Sequence, residues 1–194
     1  KMIPLIVEAG HRVIVPDMIG MGRSDKPTDI HTHTIYAHAR WWKAMIDALE
    51  LKDITLFGQD WGGFTSLMVV AQHPEYFRRV MISNSALWLM PDPILNVPQG
   101  INREDYPVDP DAQIRTFGDF GADCNAKGII REDMSEFFHA WMLYALTGPE
   151  LKASDNLRRD FGGIELTDDE ARAYDAPFPD EIFMTGIRTL PSMG

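Results

Sequence analysis

The sequence has little cysteine, no excess of positive charge and no long apolar run. Cys124 is the single cysteine among 194 residues, which excludes an intrachain disulfide and a multi-cysteine metal site and favours a reducing, cytoplasmic location. No apolar stretch approaches the roughly 20 residues that a bilayer-spanning helix requires, so we expect no membrane. The formal net charge of -11 argues against nucleic acid as a partner, because phosphate binding needs a basic face.

The acidic side chains are concentrated in one part of the chain. Residues 1–90 carry nine basic and nine acidic residues, whereas residues 91–194 carry nine and twenty. Five prolines between positions 91 and 110 exclude a regular helix or central strand there. We therefore divide the chain into residues 1–86 and an acidic unit, residues 87–194. Neither terminus coincides with a finished element, so we expect an internal piece of a longer protein.

Helical and extended patterns alternate in the first unit. Apolar periodicity predicts helices at residues 2–6, 34–49 and 62–72. Short apolar runs predict buried strands at residues 12–16, 54–57 and 80–82, and residues 17–27 read as a loop. Such strands separated by helices indicate a mostly parallel sheet flanked by helices on both faces. The second unit shows no strand pattern, and helices are predicted at residues 133–146 and 167–174.

A strand-to-helix junction carries the chemically informative pattern. Residues 58–62 read Gly-Gln-Asp-Trp-Gly, the Gly-x-nucleophile-x-Gly elbow with Asp60 where serine is commoner. We expect a sharp turn here. The strand backbone before it and the helix backbone after it can pass each other only if the residues at positions 58 and 62 are small. The turn would lift Asp60 above the sheet at the positive end of a helix and place the Trp61 backbone N–H as an oxyanion donor.

An aspartate at this turn suits a particular reaction. A carboxylate is ionised at neutral pH and needs no base in order to attack, so it fits displacement at a saturated carbon. The product is an enzyme ester that water must cleave. The alternative is that Asp60 only caps the helix, but the strand before it and the helix and double glycine after it favour a nucleophile.

Residues 13–27, 59–63 and 173–180 together resemble the haloalkane dehalogenases of the α/β-hydrolase superfamily. The first two segments are shared with epoxide hydrolases, and the Ala-Pro-Phe-Pro-Asp stretch within the third favours the dehalogenases. The resemblance implies an α/β-hydrolase core with a helical cap domain formed by residues 87–194. It also implies hydrolysis of haloalkanes to alcohol and halide through an aspartyl-alkyl ester.

The resemblance also assigns site residues. Asp60 matches the nucleophile, and Trp61 and Trp141 match the halide-binding pair, which is chemically reasonable because an indole N–H is a donor only. The partners implied are a small halogenated hydrocarbon, water and a halide ion, with no metal or other cofactor. The positions that match the substrate pocket are Phe64, Phe138, Leu190 and Pro191.

The catalytic base and acid remain unassigned. The family places the catalytic histidine and its acid after the cap, beyond Gly194. We therefore expect this chain alone not to complete a catalytic turnover. His31 and His33 lie on a polar stretch without a third ligand, and we expect them to face solvent rather than bind metal.

Two other functions stay open. An epoxide hydrolase would use the same aspartate with cap tyrosines, for which Tyr106, Tyr144 and Tyr174 are available. A hydrolase-fold binding protein without catalysis is the second alternative.

Overall fold

The computed structural model describes residues 2–85, 144–146, 151–155, 157–158 and 165–193. The first unit contains helix α1 (Met2–Glu8), helix α2 (Ile35–Ala48), strand β1 (Ile54–Gln59), helix α3 (Asp60–Gln72) and strand β2 (Phe77–Ser83). The second contains helices α4 (Ala153–Asp155), α5 (Asp168–Asp175) and α6 (Thr185–Thr189). Short 3-10 turns occupy Ile30–Thr32, Pro74–Tyr76, Glu181–Met184 and Leu190–Ser192.

These elements confirm most of the predicted pattern in the described residues. Residues 17–27 form a loop, and residues 144–146 are helical, while the rest of the helix predicted at 133–146 lies outside the described residues. Within the described ranges no strand follows residue 83, and no helix is long and apolar enough to cross a membrane.

Helix α2 begins at a side-chain cap and packs against α3. The Thr34 hydroxyl accepts a hydrogen bond from the Ala37 backbone N–H at 3.1 Å, which satisfies a donor that has no partner within the helix. Ala39 and Ile46 of α2 meet Val69 of α3 in a buried cluster. This cluster fixes α3, and therefore the residue at its first turn, relative to α2.

Strands β1 and β2 are parallel and are joined through α3. Leu56 pairs with Val80 and Gly58 with Ile82, and the ladder ends where Gln59 meets Ser83. Because the strands are parallel, the residues that follow both of them emerge at the same edge of the sheet. Asp60 is the first residue beyond this edge on β1, and Asn84 is the first beyond it on β2.

The structure corrects two expectations about the sheet. The predicted strand at residues 12–16 is irregular, and Val15 is 69% exposed, because nothing in the described ranges pairs with it. One face of the sheet is also less covered than predicted. Helix α3 lies against Gly58, whereas Phe57 and Met81 remain 54% and 58% exposed.

The described part of the second unit is held together by a helix cap at the start of α5 and by the buried Arg188. The Thr167 and Glu170 side chains form the capping box predicted at the start of α5. Asp175, at the end of that helix, accepts hydrogen bonds from the Ser154 backbone N–H and hydroxyl at 3.0 and 2.6 Å. Arg188 is buried, donates to the Ala145 carbonyl at 2.9 Å and lies 2.6 Å from a Glu181 carboxylate oxygen.

Helix α6 lies against the loop region of the first unit. A Cβ added at Gly186 would lie 2.8 Å from the Gly20 Cα, so only glycines permit this close backbone approach. The Thr185 hydroxyl is 3.4 Å from the Thr28 carbonyl. His33 is buried beside the same contact. Its Cε1 atom would lie 3.1 Å from a Cβ added at Gly186.

The burial of His33 overturns the expectation that both loop histidines face solvent. His31 is exposed, but His33 is 4% exposed. Its Nε2 lies 3.0 Å from the Pro27 carbonyl oxygen, which can only accept, so Nε2 carries the proton. The His33 Nδ1 and His38 Nε2 atoms lie 3.5 Å apart, so one ring can donate a hydrogen bond to the other. In the described residues no three potential metal-ligating side chains come together.

Stability should fall with acidification because His38 is buried in a neutral form. Burial, together with the neighbouring His33, lowers the pKa of His38 to about 4. The unfolded chain takes up this proton below its ordinary pKa of about 6.5. The stabilisation is therefore present above pH 6.5 and is lost as the pH falls towards 4. Urea unfolding at pH 7 and pH 5 should show about 2 kcal/mol less stability at pH 5 from this group.

The H38Q variant should lose that portion of the pH dependence, because a glutamine amide can still donate to His33 but does not titrate. H31Q, at the exposed histidine, is the matched control and should behave as the unmodified chain. Equal pH slopes for H38Q and H31Q would contradict the assignment.

Candidate active site

The junction between β1 and α3 is a tight turn centred on Asp60. Gln59 is extended, with φ -134° and ψ 138°, and Asp60 then adopts φ +50°. A positive φ is uncommon for residues other than glycine, although aspartate tolerates it better than most. The reversal places Asp60 in the first turn of α3, where the helix dipole and the unpaired backbone N–H groups stabilise negative charge.

Two glycines allow this turn, and one of them is not the predicted one. A Cβ at Gly58 would lie 2.9 Å from the Gly63 Cα, and one at Gly63 would lie 2.5 Å from the Ser85 Oγ and 2.6 Å from its Cβ. A Cβ at Gly62 would meet no described atom within 4 Å. The described residues therefore support the expected need for a small residue at position 58 and place no such requirement on position 62. The close approach occurs at 63, because the helix brings that residue back over Gly58.

The Asp60 carboxylate is half-buried and forms no ion pair with a described residue. Its side-chain hydrogen bond comes from the Asn84 amide, whose Nδ2 lies 3.4 Å from Oδ2. Asn84 also has a positive φ, +48°. The sequence analysis missed this contact, although Asn84 directly follows β2 and the ends of parallel strands meet at one edge.

Trp61 follows Asp60 directly and carries an indole N–H donor. Its side chain is half-buried and packs against Phe64, with ring centroids 5.3 Å apart. The indole N–H has no hydrogen-bond partner among the described residues. An indole N–H is a donor only, on a ring that excludes water from one side. Such a group can stabilise an anion that forms near it.

Other predicted site residues are not brought to the elbow by the described contacts. Trp141 and Phe138 lie outside the described residues. Leu190 and Pro191 form the 3-10 turn after α6, with Pro191 buried and Leu190 half-buried. This segment follows the contact with Gly20. The roles proposed for these four residues therefore stay predictions, whereas Asp60, Trp61 and Phe64 share the first turns of one helix.

An open cleft of about 600 Å³ lies between two loops and does not include the elbow. One wall is formed by residues 22–26, and the other includes Pro177 and Phe183. The Lys26 ammonium group beside it already donates to the Gly22 and Ser24 carbonyls at 2.7 and 3.1 Å. This cleft is therefore separate from the elbow, and its Lys26 cation is already hydrogen-bonded to backbone carbonyls.

The sequence comparisons identify the family. The model of the α/β-hydrolase fold family matches residues 1–120, so the chain belongs to that family. It is 33% identical over 192 residues to a haloalkane dehalogenase from Psychrobacter cryohalolentis, covering 98% of this chain and 50% of the relative. It is 32% identical over 193 residues to haloalkane dehalogenase 1 from Mycobacterium tuberculosis, covering 99% of this chain and 50% of the relative.

A solved structure agrees with these relatives. The tetrameric haloalkane dehalogenase DpaA from Paraglaciecola agarilytica NO2 matches 99% of this chain and 50% of its own, with 28% identity and a TM-score of 0.67. The resemblance to haloalkane dehalogenases inferred from the motifs is therefore confirmed, and so is the fold class. The chain spans about half the length of the curated relatives that it matches.

The glycine geometry predicts opposite effects of two adjacent substitutions. G63A should lower the free energy of unfolding by about 1–3 kcal/mol, because its Cβ would overlap the short Ser85 side chain. G62A should be neutral or raise that energy by up to about 1 kcal/mol, because alanine is the better helix former. Urea unfolding measures both. Equal losses for the two variants would contradict this assignment of the close contact.

Proposed function

We propose that this chain carries the nucleophile of a hydrolytic haloalkane dehalogenase. The observation that carries the proposal is the placement of Asp60, a half-buried carboxylate that forms no ion pair with a described residue, at the left-handed turn into α3, with Trp61 as the next residue. The named activity of the relatives supports the same reaction class. In this proposal residues 1–86 belong to the hydrolase core and residues 87–194 to the cap.

The first step is displacement at carbon. An Asp60 carboxylate oxygen attacks the carbon that bears the halogen, a C–O bond forms, and the halide leaves with the electron pair of the C–halogen bond. The growing negative charge is stabilised by the Trp61 indole N–H, with Trp141 as the proposed second donor. The Trp61 backbone N–H, unpaired in the first turn of the helix, is the proposed oxyanion donor.

The second step is hydrolysis of the aspartyl-alkyl ester. Water adds to the ester carbonyl, the C–O bond to Asp60's carbonyl carbon breaks, and alcohol, a proton and the free carboxylate are released. This step needs a general base. No histidine is hydrogen-bonded to Asp60 among the described residues, so we expect this chain to be alkylated without being regenerated.

An epoxide hydrolase with the same nucleophile is less well supported. It would require two phenols in place of indole donors at the leaving group. Tyr174 lies on the exposed surface of α5, 49% exposed, Tyr144 is buried near Arg188's acceptor, and Tyr106 lies outside the described residues. The curated relatives with haloalkane dehalogenase names do not favour this alternative.

Incubation of the chain with a 1-bromoalkane should add the mass of one alkyl group at Asp60. Release of bromide should stop at about one equivalent per chain, because the ester is not cleaved. Intact-mass spectrometry followed by peptide mapping measures the site and the stoichiometry. The D60N variant should not be modified.

D53N provides the matched control for D60N. Asp53 is exposed and also has a positive φ, +51°, so both substitutions place asparagine on a left-handed backbone. Modification of D60N to the same extent as D53N would disprove the nucleophile assignment. Release of many equivalents of bromide would show that a histidine within this chain serves as the base.

Bromide binding tests the second part of the proposal. Loss of a hydrogen bond to a charged group corresponds to roughly a tenfold or larger change in dissociation constant, so W61F should bind bromide at least about tenfold more weakly. Quenching of tryptophan fluorescence by bromide, at constant ionic strength, measures it. W41F is the control, because Trp41 packs on His33 and His38. Equal weakening in both variants would argue against a specific role of Trp61.

A further inference from the structure

A chain of two hydrogen bonds, centred on the buried Thr65 hydroxyl, connects α2 to the first turn of the elbow helix. The Trp42 indole Nε1–H donates to the Thr65 hydroxyl oxygen at 2.9 Å, and that hydroxyl donates to the Trp61 backbone carbonyl at 2.8 Å. The direction is fixed, because an indole N–H cannot accept and a carbonyl cannot donate. Thr65 is 0% exposed, so its hydroxyl is shielded from water.

This chain of hydrogen bonds ends at the carbonyl of the peptide group that follows Trp61. Thr65 lies one helical turn after Trp61 and donates its hydroxyl proton to the carbonyl that also faces its own backbone N–H. The Gly62 carbonyl lies 3.4 Å from the same hydroxyl. A threonine bonded backwards in this way can bend the first turn of a helix, and here it fixes the plane between Trp61 and Gly62.

The other end of this chain of hydrogen bonds, at Trp42, is anchored in the hydrophobic core. Trp42 packs against the cluster of Ala39, Ile46 and Val69, which joins α2 to α3. The anchor is therefore independent of the sheet edge, from which Asn84 contacts Asp60. The elbow is linked to β2 through the nucleophile and to α2 through the residue after it.

We propose that Trp42 and Thr65 are positioning residues that set the orientation of Trp61. Neither residue is assigned contact with substrate; both act through the Trp61 carbonyl. The importance of that orientation for halide rests on the proposed function, because the Trp61 indole N–H is the proposed halide donor. A rotation of the peptide plane that follows Trp61 would shift the Trp61 Cα, from which the indole side chain extends, and displacements of about 1 Å can lower rates strongly.

Four variants of the full 194-residue chain test this inference. T65V removes the hydroxyl with little change in shape, and T65S retains it. W42F removes the indole donor, and W41F makes the same change at the adjacent residue, outside the hydrogen-bond chain. The Trp61 amide and indole signals in proton–nitrogen correlation spectra report its orientation without any ligand. Bromide quenching reports the consequence for an anion.

We expect T65V and W42F to shift the Trp61 signals and to weaken bromide binding by about threefold to tenfold, as for loss of one hydrogen bond. T65S and W41F should remain within about twofold of the original affinity. If T65V does not fold, W42F against W41F gives the same comparison. Unmoved Trp61 signals in a folded T65V or W42F would overturn the proposal.

The two proposals fail separately. If the Trp61 signals shift but the bromide affinity is unchanged, the two hydrogen bonds have only a structural role. That result would overturn the proposal that Trp42 and Thr65 orient Trp61 for halide binding. If the original chain binds no bromide, the halide assignment fails, and the Trp61 signals alone decide whether Trp42 and Thr65 orient that residue.

Discussion

The approach of Gly58 to Gly63 is the constraint on which the elbow depends. With no Cβ on either residue, the end of β1 and the first turn of α3 pass within contact distance, and Asp60 between them adopts φ +50°. This geometry aligns the carboxylate with the N-terminal end of a helix, where negative charge is favoured. A bulkier residue at either glycine would separate the strand from the helix and move the carboxylate with them.

The elbow is supported from both sides, by elements distant in sequence. Asn84 reaches Asp60 from the end of β2, while Thr65 and Trp42 connect the neighbouring carbonyl to α2. Thr65 is fully buried and Asn84 is exposed, and the hydrogen bonds of both specify direction in a way that apolar packing alone does not. The orientation of the elbow is therefore held by directional contacts on both sides.

The local features were predictable and the long-range contacts were not. Residue spacing and caps predict α2, β1, α3 and α5, and the Gly-x-Asp-x-Gly pattern alone locates Asp60 at the turn between β1 and α3. The pattern could not tell Gly62 from Gly63, because the close approach depends on the crossing of helix and strand. Nor does the sequence pattern show that His33 is buried under α6 while His31 is exposed. The residues of α6 that contact His33 lie about 150 positions further along the chain. The run at residues 12–16 failed as a strand because extended structure requires a pairing partner as well as β-branched side chains.

The left-handed backbone at Asp60 is better suited to some side chains than to others. Besides glycine, asparagine and aspartate adopt this conformation with little strain, and only aspartate of these three carries a charge. Serine, the commoner residue of such elbows, adopts the same conformation with more strain. An aspartate at position 60 therefore lowers the backbone strain that this kind of turn stores.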